Sequence, residues 1–257
     1  MNPTLDLIEA RASTRTYSTQ PIARDERDAV LRATMRAPTS GNMMMYSIIE
    51  ISDQAIKDRL AVTCDDQPFI ARAPWVLVFV ADMQRWMDLF ALSDVASIPG
   101  VVQRPTPGPG DLMQACSDAL IAAQTAVLAA ESLGIGSCYI GDILEQAETH
   151  AELLELPPHT IPVAMLCLGR PLAPRPPTAH CTRGVVHQDR YHRLTGDELR
   201  ELSAELADTH APHGLPAGAA NYPQEIYRRK FASDFMAEMD RSVVWWLRRW
   251  ETPEGRE

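Results

Sequence analysis

The sequence has almost no lysine. Only Lys57 and Lys230 occur, so 22 of its 24 basic residues are arginine, the side chain suited to bidentate contacts with carboxylates and phosphates. Cysteine is sparse as well: Cys64, Cys116, Cys138, Cys167 and Cys181 form an odd, scattered set with no C-x-x-C spacing. That disfavours a disulfide scaffold and a zinc centre, and no metal is expected. No uninterrupted apolar run reaches 18 residues, and the opening MNPTLDLIEARAS has no basic-then-apolar pattern. Neither a membrane span nor export is expected, so the chain reads as cytoplasmic. A G-x-S-x-G elbow, a P-loop and internal repeats are also missing. Positive charge is in deficit, with a net charge of -10 and a pI near 5.2, which disfavours nucleic acid and anionic membrane surfaces as partners.

What is present is ordinary globular composition, 46% hydrophobic and 23% charged. The 257 residues suffice for one large domain, and a chain of this mass buries roughly three quarters of its extended surface on folding. Periodicity and breakers predict helices over 4–10, 23–37, 53–62, 144–156 and 196–210, and strands over 47–52, 74–82, 137–143 and 161–171. The strongest helix, 111–134, is expected to be capped by Asp111, and its seven alanines between Ala115 and Ala130 suit close backbone approach. Before it, residues 96–110 carry four prolines and three glycines and form no regular element, which fits a surface connection or a lid. Residues 185–194 read as one short extended piece, and 224–250 as a final long amphipathic helix. Its Trp245, Trp246 and Trp250 need cover, from a partner surface or from their own subunit. Helices and strands alternate without a clear βαβ pattern, which gives an α+β class.

Three segments stand out chemically. In Arg11-Ala12-Ser13-Thr14-Arg15 the two arginines and the serine share one face of a strand, and the arginines share one face of a helix. Two guanidinium forks and a hydroxyl suit a phosphate; the same spacing also fits two solvated arginines at a helix end, the commoner arrangement. In Pro38-Thr39-Ser40-Gly41-Asn42 a turn of small polar residues precedes Met43, Met44, Met45 and Tyr46, where the methionines fit either a flat ring or ordinary core. GIGSCYIGDI (134–143) brings glycine-spaced backbone to a strand edge, but its glycines miss the dinucleotide spacing and follow a helix instead of opening one. His187 and His192, five apart on an extended piece, point to opposite faces, and His210 and His213 lack the carboxylate context of a metal site.

The order of these segments resembles the nitroreductase superfamily of FMN enzymes, on the branch of oxygen-insensitive nitroreductase A and flavin reductase P. The resemblance runs through LIEARASTRTYSTQPI, PTSGNMMMYSIIEISD, DQPFIARAPWVLVFVAD and IAAQTAVLAAESLGIGSCYIGDI, then LLELPPHTIPVAMLCLGRP and VVHQDRY, over roughly residues 3–194. It implies a mixed central sheet surrounded by helices, an FMN-binding domain over 1–195 and a helical extension over 196–257 that packs on a dimer. It further implies that Arg11, Ser13 and Arg15 grip the FMN phosphate, with Ala12 and Thr14 lining the same segment. Thr39, Ser40 and Asn42 match phosphate and ribityl contacts, and Gln67 a residue reaching the ring in the neighbouring-subunit geometry. Tyr139, Ile140, Gly141 and Asp142 match the segment bordering flavin N5 and O4, whose amides stabilise negative charge as hydride arrives. Arg183 matches the distal phosphate arginine, with His180 as the alternative register. Met44 stands where many relatives have glutamine, and with Tyr46 it is a candidate for the substrate pocket. The implied function is hydride transfer from NADPH or NADH through FMN to a nitroaromatic, quinone or flavin, in a homodimer with FMN at the interface. A specialised dehydrogenase or reductive tailoring enzyme is the alternative, and a non-catalytic flavin-binding module the third.

Overall fold

The computed structural model describes residues 2–173 and 176–252. Of these, residues up to Pro176 together with those from Glu238 onward form one compact unit, and Pro177–Ala237 form a second. The division expected at 195/196 thus falls inside the second unit.

The first unit is built on a four-stranded sheet, β1 (Tyr46–Ile51), β2 (Trp75–Asp82), β3 (Gly136–Ile140) and β4 (Thr160–Gly169), in the order β1-β2-β4-β3. All three pairings are antiparallel, which corrects the expectation of a mixed sheet. The reason lies in the connections. The helices α3 (Gln54–Thr63) and α4 (Phe69–Arg72) leave and re-enter the sheet at one end, so Ile51 pairs with Val76. The excursion after β3 through α7 (Ala147–Leu153) does the same, and Ile140 pairs with Met165. Every residue of β2 is buried, as its unbroken apolar run requires.

Two further helices precede the sheet, α1 (Pro3–Ala10) and α2 (Arg24–Thr34); α5 (Gln84–Leu92), unread in the sequence, follows β2. The long helix α6 (Pro109–Ser132) buries Ala119, Ala122, Ala123, Ala126 and Ala130 against one face of the sheet and α2, and Leu112 and Ala115 in the other core cluster. Its cap differs from the expectation: Gly108 is the capping residue, and Asp111 sits three residues inside, accepting the Gly108 N–H at 2.8 Å and pairing with Arg104. By length and composition α6 could cross a bilayer. Here it is a core helix, with Asp118 buried in mid-length and hydrogen-bonded to the backbone of the preceding domain segment. Residues 95–107 cover an apolar hollow of about 370 Å³ lined by Met43, Met83, Met87 and Phe90 among others.

In the second unit, α8 (Gly196–His210) spans the residues expected of it and opens on a Thr195 cap. The extended piece expected at 185–194 is instead a run of turns: Gly184 and Asp189 take left-handed backbone, and Val186 is 87% exposed. The long terminal helix is also broken, into α9 (Tyr222–Ile226), a π-turn (Tyr227–Phe231) and α10 (Asp234–Glu251). Ser233 restarts it, its hydroxyl accepting the Met236 N–H at 3.3 Å. The tryptophans are covered by their own chain. Trp246 and Trp250 are each 1% exposed, donating to Leu144 O at 3.0 Å and Gly108 O at 3.2 Å. A partner surface is therefore not what buries them.

Candidate functional site

The segment 11–15 leaves α1 in extended conformation at Arg11 and runs along the free edge of β3. Thr14 N–H donates to Ser137 O at 2.8 Å, and Thr14 turns its side chain down onto Gly136. A Cβ on Gly136 would stand 2.2 Å from Thr14 Oγ1, so only glycine lets the two backbones approach this closely. One repeat along, Gly169, the partner of Gly136 in the ladder, lies under Tyr17 in the same way. With Thr14 directed inward, Ser13 and Arg15 reach the Cys138 thiol, and Arg11 lies near Glu131 and Tyr139. This is the alternation of an extended chain, with Arg11, Ser13 and Arg15 on one side and Thr14 on the other.

Neither Arg11 nor Arg15 has an ion-pair partner among the described residues, in contrast to Arg27, Arg170, Arg183 and Arg241. Arg15 instead lies over the Phe69 ring, 5.8 Å from its centroid. Phe69 was not legible as a site residue, and nothing but its place two residues after Gln67 could have flagged it. Burial raises the Tyr139 hydroxyl to about 12 against the opposing charge of Arg11, and raises the Cys138 thiol against Arg15 and Arg11. Both groups are neutral at physiological pH, so the acid nearest to Arg11 is Glu131, which interacts with it through space without forming an ion pair.

Beyond β3, Ile140 is buried, and the chain turns at Gly141 into a single 3-10 turn, Asp142–Leu144. No atom lies within 4 Å of where a Gly141 Cβ would stand, so its backbone faces open space. Gln67 belongs to this group within its own chain: its amide donates to Asp142 Oδ2 at 2.7 Å and to Cys64 O at 2.9 Å. Arg11, Ala12, Ser13, Thr14, Arg15, Gln67 and Tyr139–Asp142 thus form one continuous edge around β3.

The remaining predicted residues form a second group at the entrance to β1. Ser40–Asn42 is a 3-10 turn in which Gly41 and Asn42 take left-handed backbone, as does Met44. Asp118 on α6 holds the turn: its carboxylate accepts Ser40 N–H at 2.8 Å and Met45 N–H at 3.2 Å. Thr39 Oγ1 accepts Met44 N–H at 3.2 Å, Arg85 donates to Met44 O, and Trp86 Nε1 donates to Met43 O at 2.9 Å. Asp118 was missed in the sequence, although a lone acid on the alanine face of an apolar helix was the available signal. Met44 is half-buried, packed beside the alanine-rich cluster, whereas Met45 is core. Tyr46 is buried with its hydroxyl unpartnered, and burial followed by Asp118 raises that hydroxyl.

Arg183 lies in the second unit. Its Nε donates to Glu205 at 2.8 Å, and its guanidinium pairs with Glu201 at 3.0 Å, so its charge is already met by two carboxylates. His180 and Cys181 line a polar hollow with it, and Cys181 Sγ donates to Glu205 at 3.2 Å.

A model described as "Nitroreductase family" matches residues 8–170, more than half of the sequence. The chain belongs to the nitroreductase family. Within it, the chain is 31% identical over 233 residues to the oxygen-insensitive NADPH nitroreductase of Salmonella typhimurium, covering 89% of this chain and 91% of that protein. It is 32% identical over 202 residues to the FMN reductase (NADPH) of Bacillus subtilis, covering 77% and 78%. Among solved nitroreductase structures, nitroreductase A from Vibrio parahaemolyticus superposes with a TM-score of 0.79 at 25% identity, covering 96% of this chain and 98% of that one. The family match spans both the β3 edge and the turn before β1.

Proposed function

We propose that this chain is an FMN-dependent oxidoreductase that takes hydride from NADPH or NADH and passes it to an organic acceptor such as a nitroaromatic, a quinone or a flavin. One observation carries the reading: Arg11 and Arg15, without ion-pair partners among the described residues, flank Ser13 on the edge that ends at the open backbone of Gly141. Two unspent guanidinium groups match the roughly -2 charge of a phosphate monoester, each as a charge-assisted donor pair. The donor set fits FMN. When bound, FMN supplies hydride acceptance and donation at N5; the protein supplies binding, orientation and charge stabilisation. Arg11, Ser13 and Arg15 hold the phosphate, the Gly141 and Asp142 amides face the ring, and Gln67 is fixed beside them.

The geometry also supports the homodimer. The turn of Thr39, Ser40 and Asn42 lies by β1 and the arginine edge lies by β3, which are opposite edges of the sheet. Three interstrand steps separate them, about 14 Å, with the sheet in between. One cofactor reaches both groups when the second is donated by another copy of the chain. An apolar surface is available for that contact: exposed Leu120 on α6 and Leu247 on α10 line a groove with Trp246, and Met113, Ile121 and Val244 are exposed on the same two helices. The five cysteines are free, as suits a reducing cytoplasm.

The test is the purified protein under anaerobic conditions. A yellow preparation bleached by NADPH or NADH is expected; a colourless protein that takes up no FMN, or a yellow one inert to both nicotinamides, would refute the reading. Sedimentation of an FMN-loaded species near 28.5 kDa would refute the shared site.

A further inference from the structure

The turn that follows β3 rests on a buried acidic pair. The Glu145 carboxyl hydrogen-bonds that of Asp142, whose Oδ2 accepts from Gln67 Nε2 at 2.7 Å. Glu145 is 6% exposed, and its Oε1 meets no hydrogen-bond donor among the described residues. Two carboxylates in contact do not both stay ionised easily, and burial favours the proton on Glu145, whose O–H is then shared with Asp142 as a hydrogen bond. The surrounding charge reinforces this. Asp65, in the turn after α3, and Glu238 on α10 both face Glu145 with negative charge, while the Cys64 thiol at the end of α3, pushed up by burial and by Asp142 and Glu145, stays neutral beside them. Arg241, the cation closest along α10, is committed to Glu238 and Glu148. His150 on α7 spends its ring nitrogens on Ile143 O and Thr63 Oγ1, and burial keeps it neutral. No arginine or lysine among the described residues forms an ion pair with Glu145. Burial first, then Asp142, Asp65 and Glu238, push the Glu145 carboxyl up to about 7.

We propose that Glu145 is a positioning residue of the flavin site, which by sharing one proton with Asp142 holds the Gly141–Asp142 turn and the Gln67 amide in the arrangement that receives the ring. The assignment rests on the reading that Tyr139–Asp142 borders the flavin. Glu145 itself is buried beneath the turn and acts through Asp142. While the proton is in place, Asp142 has an O–H partner on one side and the Gln67 N–H on the other. When it leaves, two anions face each other without a counterion across the Asp142–Leu144 turn that they bracket, the turn loosens, and Gln67 loses its fixed acceptor. Flavin binding therefore weakens as pH rises through neutrality, although the phosphate arginines keep their charge throughout.

The experiment is FMN titration of the apoprotein by flavin fluorescence quenching from pH 5.5 to 9, on wild type and Glu145→Gln. Glutamine keeps a donor for Asp142 and has no proton to lose. Wild-type Kd is expected to rise about tenfold relative to Glu145→Gln between pH 6 and 8.5, since a site tied to one titration loses up to a factor of ten per pH unit beyond its midpoint. The titration of the FMN phosphate is common to both proteins and cancels in the ratio. A constant ratio across the range would overturn the proposal. A second readout needs no flavin. The folded chain holds a proton that an ordinary unfolded carboxyl has released, so apoprotein stability should fall as pH rises from about 5 to 7 in wild type and not in Glu145→Gln. Identical pH profiles of Tm in the two proteins would overturn the shared proton. Failure of wild type to bind FMN at any pH, with the difference in Tm profiles intact, would instead refute the flavin reading on which the positioning role stands.

Discussion

Arg11 with Arg15, and Arg183, carry the same side chain and match the same phosphate-binding role by family resemblance, yet the structure treats them differently. The first two lie along β3 without ion-pair partners among the described residues, over neutral Cys138 and Tyr139. Arg183 is held by Glu201 and Glu205 in its own unit. An arginine offers its charge to a ligand in proportion to how little of that charge its own chain has used. The difference shows that motif identity nominates a residue, while the local carboxylates decide what it has left to give.

The largest effect should come from removing the unspent charge. In the Arg11→Ala/Arg15→Ala double variant each lost charge-assisted contact costs about 1.5–3 kcal/mol, a 10- to 150-fold loss of FMN affinity per arginine. Unchanged affinity in isothermal titration would end the phosphate assignment. Next is the support under that segment. Gly136→Ala places a methyl against Thr14 and should displace residues 11–15, at a cost of about 1–3 kcal/mol in folding stability and with weaker FMN binding. Denaturation midpoints equal to wild type would show that the close approach is not required.

At the second group, Asp118→Ala leaves Ser40 N–H and Met45 N–H without their acceptor, which should cost about 1–3 kcal/mol by urea unfolding. Met44→Gln is milder: the side chain is half-buried, and its backbone contacts through Thr39 and Arg85 survive. We expect a stability change of about 1 kcal/mol or less together with a shifted flavin spectrum or reduction potential; a large loss of Tm with unchanged flavin properties would make Met44 plain core. The smallest effect is expected from Arg183→Ala, which should leave FMN affinity within a few-fold of wild type. A loss matching that of Arg11→Ala would break the contrast and show that ligand competes successfully with Glu201 and Glu205.

Local sequence carried much of this molecule. The unbroken apolar run of β2, the alanine face of α6 and the periodicity of α8 are short-range signals, and each element formed where its signal lay. Arg11, Ser13 and Arg15 were legible as candidates through the order of motifs that carries the family resemblance, since their spacing alone fits two solvated arginines equally. What was not legible depends on residues far apart in sequence. The absence of ion-pair partners around Arg11 and Arg15 depends on where every acid folds. The role of Asp118 depends on a turn more than seventy residues away, and the cover of Trp246 and Trp250 comes from Leu144 and Gly108. The break between α9 and α10 was in the sequence as Ser233, but helical periodicity on both sides masked it.

By itself, then, the sequence determined the α+β class, the positions of most elements and the segments of the candidate site, because hydrophobic periodicity, caps and the order of motifs along the chain act locally. Only the tertiary structure decided which of those segments share an edge, that the sheet is antiparallel, which arginine has its charge spent, and that Asp142 meets Glu145 without a counterion. Those outcomes are sums of long-range contacts and local dielectric, and neither is written at any single position of the chain.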